Sequence, residues 1–122
     1  MKIAIVEDDQ AIAQMYRIKF ENEGYSVQIA ENGKRGLTLV EQMKPDIVLL
    51  DIMMPEMTGD QMLMKLRSTL WGKNMKVIML TNMGEQEAPE SIKHLGISAF
   101  IVKAEMTPRQ VAELVKAKLA EA

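Results

Sequence analysis

Five polar residues share one habit in this sequence: they stand where short, largely apolar runs stop. Glu7 and Asp8 follow the run 2–6 (KIAIV), and Asp51 follows 47–50 (IVLL). Thr81 follows 75–80 (MKVIML), and Lys103 follows 99–102 (AFIV). Gathered in one place, three carboxylates cannot all stay ionised unless a cation joins them. Oxygen donors without Cys or His favour a hard ion, and Mg²⁺ suits one or two carboxylates with waters and a phosphate; Mn²⁺ is the alternative ion. The Lys103 ammonium could hold an anion, and the Thr81 hydroxyl could donate to it. Such a set suits a phosphoryl group carried on a carboxylate oxygen, with Asp51 as the nucleophile. Each residue alone has a plainer reading. Glu7, Asp8 and Asp9 could be acids favoured at a helix N-terminus. Asp51 could cap a loop, Thr81 could start a turn, and Lys103 could be a solvated strand end. Their shared position at strand ends favours the chemical reading.

The elements that must position them can be read from periodicity. The apolar runs predict strands at 2–6, 25–29, 47–50, 75–80 and 99–102, short and buried on both faces. Helical patterns lie between them. The first spans 10–22, with Ile12, Met15, Tyr16 and Phe20 inward and Gly24 suited to its left-handed end. Asn32-Gly33 is a turn signal, and a second helix follows to Met43 with Leu37 and Val40 inward. Gly36 inside it costs about 1 kcal/mol against Ala, so the helix is weak there or something packs close. Pro45 opens the third strand. Thr58 and Gln61 make a capping box for a third helix reaching about Leu70, with Met62, Leu63 and Leu66 buried. A short fourth helix is expected within 86–95, its regular part starting near Pro89 and stopping at Gly96. Thr107, Pro108 and Gln110 start the last helix, with Met106 and Val111 placed for a hydrophobic staple.

The order βαβαβαβαβα predicts an α/β fold, a five-stranded parallel sheet doubly wound by helices. The flavodoxin-like strand order 2-1-3-4-5 sets strands 1 and 3 side by side at the switch point, so all the polar strand ends converge on one rim.

Composition bounds the rest. The chain has 122 residues, 48% hydrophobic and 26% charged, with a net charge of −2. A net charge this small draws the chain to neither nucleic acid nor membrane. There is no cysteine, which excludes disulfides and thiolate chemistry. No apolar run reaches spanning length, and the N-terminus lacks a signal-peptide layout, so a cytoplasmic protein is expected. The twelve methionines fall mostly at core positions, where Met is an adaptable filler. His94, the sole histidine, is expected on the surface. Trp71 is expected in a loop on the rim opposite Asp51.

The sequence resembles the receiver domains of two-component response regulators, the CheY-like family, over its whole length. The resemblance rests on Val6-Glu7-Asp8-Asp9, Asp51-x-x-Met54-Pro55-x-x-x-Gly59, Leu80-Thr81-Asn82 and Phe100-Ile101-Val102-Lys103. It implies one receiver domain, 1–122, whose Asp51 takes a phosphoryl group from a phosphohistidine of a sensor histidine kinase or phosphotransfer protein. Glu7, Asp8, Asp51 and the backbone carbonyl of Met53 would then hold Mg²⁺. Thr81, Asn82 and Lys103 would line the phosphoryl group, and Phe100 would swing inward as Thr81 moves. A downstream protein would read helix 4, strand 5 and helix 5, with the chain a monomer or a weak phosphorylation-dependent dimer. Apart from its own phosphorylation and dephosphorylation, such a domain catalyses nothing.

Three departures bear on this expectation. Ala104 stands where the family usually has proline, and a trans Lys103–Ala104 bond is expected. Asn82 stands where the family has a small residue. Met53 and Met83 are apolar at the mouth and are expected to screen water from the phosphoryl group. Competing readings fare worse. A haloacid-dehalogenase-type phosphatase needs an acid two residues after the nucleophile, where Met53 stands. A nucleotide or flavin binder needs a phosphate cradle, and Glu7-Asp8-Asp9-Gln10 is acidic. A receiver working without phosphate, or the receiver portion of a longer transcriptional regulator, remains the alternative.

Overall fold

The computed structural model describes residues 1–82 and 84–121, with Glu85 described by its backbone alone. Its elements are β1 (Lys2–Val6), α1 (Gln10–Asn22), β2 (Ser26–Ala30), α2 (Gly33–Met43), β3 (Ile47–Leu50), α3 (Gly59–Arg67), β4 (Lys76–Thr81), α4 (Glu90–Lys93), β5 (Ala99–Val102) and α5 (Pro108–Ala120). Short 3-10 turns occupy Glu85–Glu87 and Lys103–Glu105. The strands form one parallel sheet in the order β2-β1-β3-β4-β5, as the alternation predicts.

Both sheet faces are covered, which explains the near-continuous apolar strands. Alternate side chains serve opposite layers. Ala4, Val6, Val48, Leu50, Val77 and Met79 join the side chains of α2 and α3, including Val40, Met62, Leu63 and Leu66. Ile3, Ile5, Ile47, Leu49, Ile78 and Leu80 join those of α1 and α5, including Tyr16, Phe20, Val111 and Val115. Full burial of one such aliphatic side chain stabilises the fold by about 2 kcal/mol.

The local start signals act as read. Asp9 accepts from the Ile12 N–H at 3.1 Å, and Thr107 accepts from the Gln110 N–H at 3.2 Å. Gln61 accepts from the Thr58 N–H at 3.1 Å. The close packing expected at Gly36 is real: a Cβ there would lie 2.7 Å from a Val6 methyl and 3.0 Å from the Met62 sulfur. Met106 packs in the same layer as Val111.

Several boundaries differ from expectation. Asn32 is the N-cap of α2, accepting from the Arg35 N–H at 2.8 Å, so the Asn-Gly pair opens a helix rather than a free turn. β2 and β4 each run one residue later than expected, and Thr81 closes β4 from within. Met15 lies on the exposed side of α1, with Ala13 taking the inward position. The third helix stops at Arg67 instead of about Leu70, and Leu70 is exposed. The Ser68 and Thr69 hydroxyls donate to the Lys65 and Leu66 carbonyls at 2.6 and 2.7 Å, which closes the last turn locally. The fourth helix does start beside Pro89, its N-cap, but its regular part spans only Glu90–Lys93.

Candidate functional site

Parallel register brings the polar strand ends together. Val6 pairs with Leu50, so Glu7 and Asp51 leave β1 and β3 at the same level. Leu50 pairs with Met79, and Thr81 pairs with Val102, so Thr81 and Lys103 arrive at the same rim. The Asp51 N–H donates to the Val6 carbonyl at 3.0 Å, which extends the ladder to the acid itself.

The chain then turns sharply. The Gly59 N–H donates to the Ile52 carbonyl at 2.8 Å, and the Gly33 N–H donates to the Met57 carbonyl at 3.1 Å. Glu56 takes a φ of 66°, a left-handed conformation uncommon without glycine. A Cβ on Gly59 would run into the Asp51 backbone carbonyl. Gly59 therefore lets α3 begin directly against the strand end that carries the acid.

Asp51 is 6% exposed and Glu7 is 3% exposed. Asp8 is exposed. One carboxylate oxygen from each of these three lies within 4.8 Å of the others. The Lys103 ammonium donates to Glu7 Oε1 and, at 3.4 Å, to Asp51 Oδ2. Asp51 Oδ1 is buried and has no hydrogen-bond partner. Leaving such an atom unpaired costs about 1–3 kcal/mol, so it marks an incomplete site.

Charge is short on the positive side. Burial first, then the proximity of Asp51, pushes the Glu7 carboxyl up to about 8, against the pull of Lys103. Burial opposes the charge of Lys103, but pairing with Glu7 and attraction to Asp51 outweigh it and raise its pKa. Oxygen-only donors, a pH-dependent excess of acid and an orphaned Asp51 oxygen together fit a hard divalent cation.

The remaining expected residues fall around this centre. Thr81 is buried and engaged. Asn82 is exposed. Met53, two residues beyond Asp51, has 61% of its surface exposed, so its side chain covers little. Met83 lies outside the described residues. Phe100 is half-buried and packs on the α2–α3 side of the sheet. It also borders a groove of about 410 Å³ with Gln86, Glu87, Glu105 and Met106. The Lys103–Ala104 bond is trans, as expected. His94 is exposed, and Trp71 sits in the turn after α3, partly buried against the core.

Tyr16 belongs to the site's surroundings, although periodicity marks it only as helix core. It is 2% exposed and lies beside Glu7, Asp51, Leu49 and Leu80 around a narrow gap. Its phenol is raised mainly by burial. The only sequence signal is a hydroxyl on an otherwise apolar face.

Comparison with known proteins agrees with this geometry. The family model described as response regulator receiver domain matches residues 3–116. Response regulator MprA of Mycolicibacterium vanbaalenii is 37% identical over 81 residues, covering 66% of this chain and 34% of that protein. The phosphate regulon transcriptional regulatory protein PhoB of Rhizobium meliloti is 33% identical over 123 residues, covering 99% of this chain and 53% of that protein. This chain thus spans about a third to a half of the length of these relatives. The CheY-like receiver domain protein from Methanospirillum hungatei superposes with a TM-score of 0.87 at 35% identity, covering 97% and 92% of the two chains. The matched family, the strand order and the carboxylate rim lead to one conclusion: this chain belongs to the response regulator receiver domains of two-component signalling.

Proposed function

We propose that Asp51 accepts a phosphoryl group from the phosphohistidine of a sensor histidine kinase or a phosphotransfer protein. The observation that carries this reading is the buried Asp51 carboxylate, held on one oxygen by Lys103 and left open on the other. An Asp51 oxygen attacks phosphorus, the P–N bond to imidazole breaks, and the imidazole leaves with the bonding pair. Glu7, Asp8, Asp51 and the Met53 backbone carbonyl would hold Mg²⁺, with Mn²⁺ as the alternative. When bound, that ion supplies positive charge for the phosphoryl oxygens. Lys103 sits within reach of Asp51, so its ammonium follows the charge onto the new phosphoryl oxygens. Thr81 and Asn82 would line the phosphoryl group, with the Thr81 hydroxyl as donor. Dephosphorylation reverses the charge flow: water attacks phosphorus, the P–O bond to Asp51 breaks, and phosphate leaves. The domain acts on itself alone.

The switch couples Thr81 to Phe100, one strand away, and through it to the face of α4, β5 and α5 that a downstream protein reads. Phosphorylation is a local charge change that biases a two-state element. The domain would be 1–122, cytoplasmic, and monomeric or weakly dimeric when phosphorylated. No described helix is long and apolar enough to cross a membrane. The greater length of relatives named as transcriptional regulators supports a second reading, in which this receiver governs a further domain.

Intact mass after incubation with a small phosphodonor tests the proposal. One added phosphoryl group is expected in the parent with Mg²⁺, and none without Mg²⁺ or in Asp51→Asn. An adduct that persists in Asp51→Asn would move the acceptor elsewhere.

A further inference from the structure

A second concave site lies at the other end of the strands. A groove of about 650 Å³ opens there, lined by Arg67, Lys73, Lys76 and Lys118 with Met75, Leu95 and Ile97. Lys76 is the first residue of β4, and Ser98, also in the lining, immediately precedes β5. The groove therefore faces away from Asp51.

Its charge is distinctive. Among the described residues, four formal positive charges line it against one carboxylate, Glu121, in a chain of net charge −2. Glu121 pairs with Lys118 at 3.3 Å. Arg67 and Lys76 are held by neutral dipoles. Arg67 donates to the carbonyls of Leu95 at 2.7 Å, Gly72 at 2.8 Å, Met75 at 2.7 Å and Gly96 at 3.1 Å. Lys76 donates to the carbonyls of Lys118 at 2.7 Å and Leu119 at 3.3 Å, and to Glu121. Carbonyls satisfy donors without cancelling charge; only the C-terminal dipole of α5 offsets Lys76 in part. Four cations against the Glu121 carboxylate leave the described lining net positive, while the strongest fork of donors is already engaged.

That combination selects its ligand. A compact phosphate is best held by a free guanidinium fork, and the Arg67 fork is occupied. A nucleic acid backbone likewise needs several free cations along a line. A peptide carrying several carboxylates uses a diffuse positive field, and its apolar side chains would meet Met75, Leu95 and Ile97. We infer that this groove docks an acidic, partly apolar peptide segment of a protein partner, on the rim opposite the acceptor carboxylate. The occupant is recognised by charge at the Lys73 side and by apolar contact at Leu95 and Ile97.

The test uses a synthetic peptide of Glu and Leu, its Gln-for-Glu analogue, and an oligothymidylate of matched charge. Backbone amide resonances are followed in the whole chain at low and high salt. The expected result is shifts at Gly72–Lys76 and Leu95–Ser98 with the acidic peptide alone, weakened by salt. Lys73→Glu, at an exposed turn position, should abolish them without altering the remaining spectrum. Lys73→Met should weaken them. Asp51→Asn should leave them intact, which separates this site from phosphorylation. Absent shifts, equal shifts with the Gln analogue, or equal shifts with the oligonucleotide would each overturn the inference.

Discussion

The two rims of the sheet each engage a cation's donors, Lys103 at one and Arg67 at the other, and reach opposite states. At the carboxyl rim, Lys103 is shared between two buried acids, and an Asp51 oxygen is left without a partner. At the amino rim, Arg67 places its N–H groups on four backbone carbonyls of two loops. One rim is short of positive charge and is completed only by something added. The other is saturated in hydrogen bonds and locks the 72–75 turn to the 95–96 turn. An unsatisfied buried group in a native fold calls for a functional explanation, whereas the satisfied Arg67 fork itself serves as scaffold.

The largest test of this contrast removes the cation from each rim. Lys103→Met leaves Glu7 and Asp51 without their ammonium. Without Mg²⁺ it is expected to lose about 4 kcal/mol at pH 9, because breaking a buried pair strands the remaining charge. At pH 6 the loss is expected to be much smaller, since Glu7 can take a proton there, and Mg²⁺ should restore much of the loss. Gly59→Ala comes next. The added Cβ meets backbone and not a flexible side chain, so a cost of about 3 kcal/mol is expected, together with slower phosphorylation of a displaced Asp51. Urea unfolding and phosphodonor kinetics on the same variant check both parts.

Arg67→Met is expected to cost about 2 kcal/mol, the same at pH 6 and pH 9 and unrelieved by Mg²⁺. If Mg²⁺ rescued it as it rescues Lys103→Met, the contrast between the rims would fail. In the parent, Glu7 is raised from 4.5 to about 8, so its protonated form favours the fold. That contribution is complete below about 4.5 and disappears as pH rises through about 8. Lys103 is raised from 10.5 and stays charged across this window. The Tm gain from Mg²⁺ should therefore grow from pH 6 to pH 9, and a flat gain would separate Glu7 from the metal site. Gly36→Ala is the smallest effect, about 1 kcal/mol of destabilisation. Contact with Val6 and Met62 costs more than the helix gains from alanine.

Much of this arrangement is legible along the chain, because its causes are local. β3 and β5 are uninterrupted apolar runs, β1 is one after Lys2, and α5 carries its cap, its proline and its box within four residues, Thr107 to Gln110. Glu7, Asp51 and Lys103 stand where such runs stop, so their shared rim follows once the sheet is parallel. Longer contacts were less legible. Arg67, the last residue of α3, finds carbonyls as distant in sequence as Leu95 and Gly96, which no local pattern announces. Met15 faces outward while Ala13 is buried, a choice the periodicity of α1 left open.

What the sequence by itself determined, then, is which residues end each strand and how each helix begins, since propensity and capping act over three or four residues. Only the tertiary structure decided which of those residues meet. The Lys103–Glu7 pair joins positions 96 residues apart, and Lys103 reaches Asp51 across 52. The orphaned Asp51 oxygen, the closeness of Gly59 to the acid and the net positive charge of the Arg67 rim have the same origin. Each depends on burial and on distances between elements that only the packed sheet establishes.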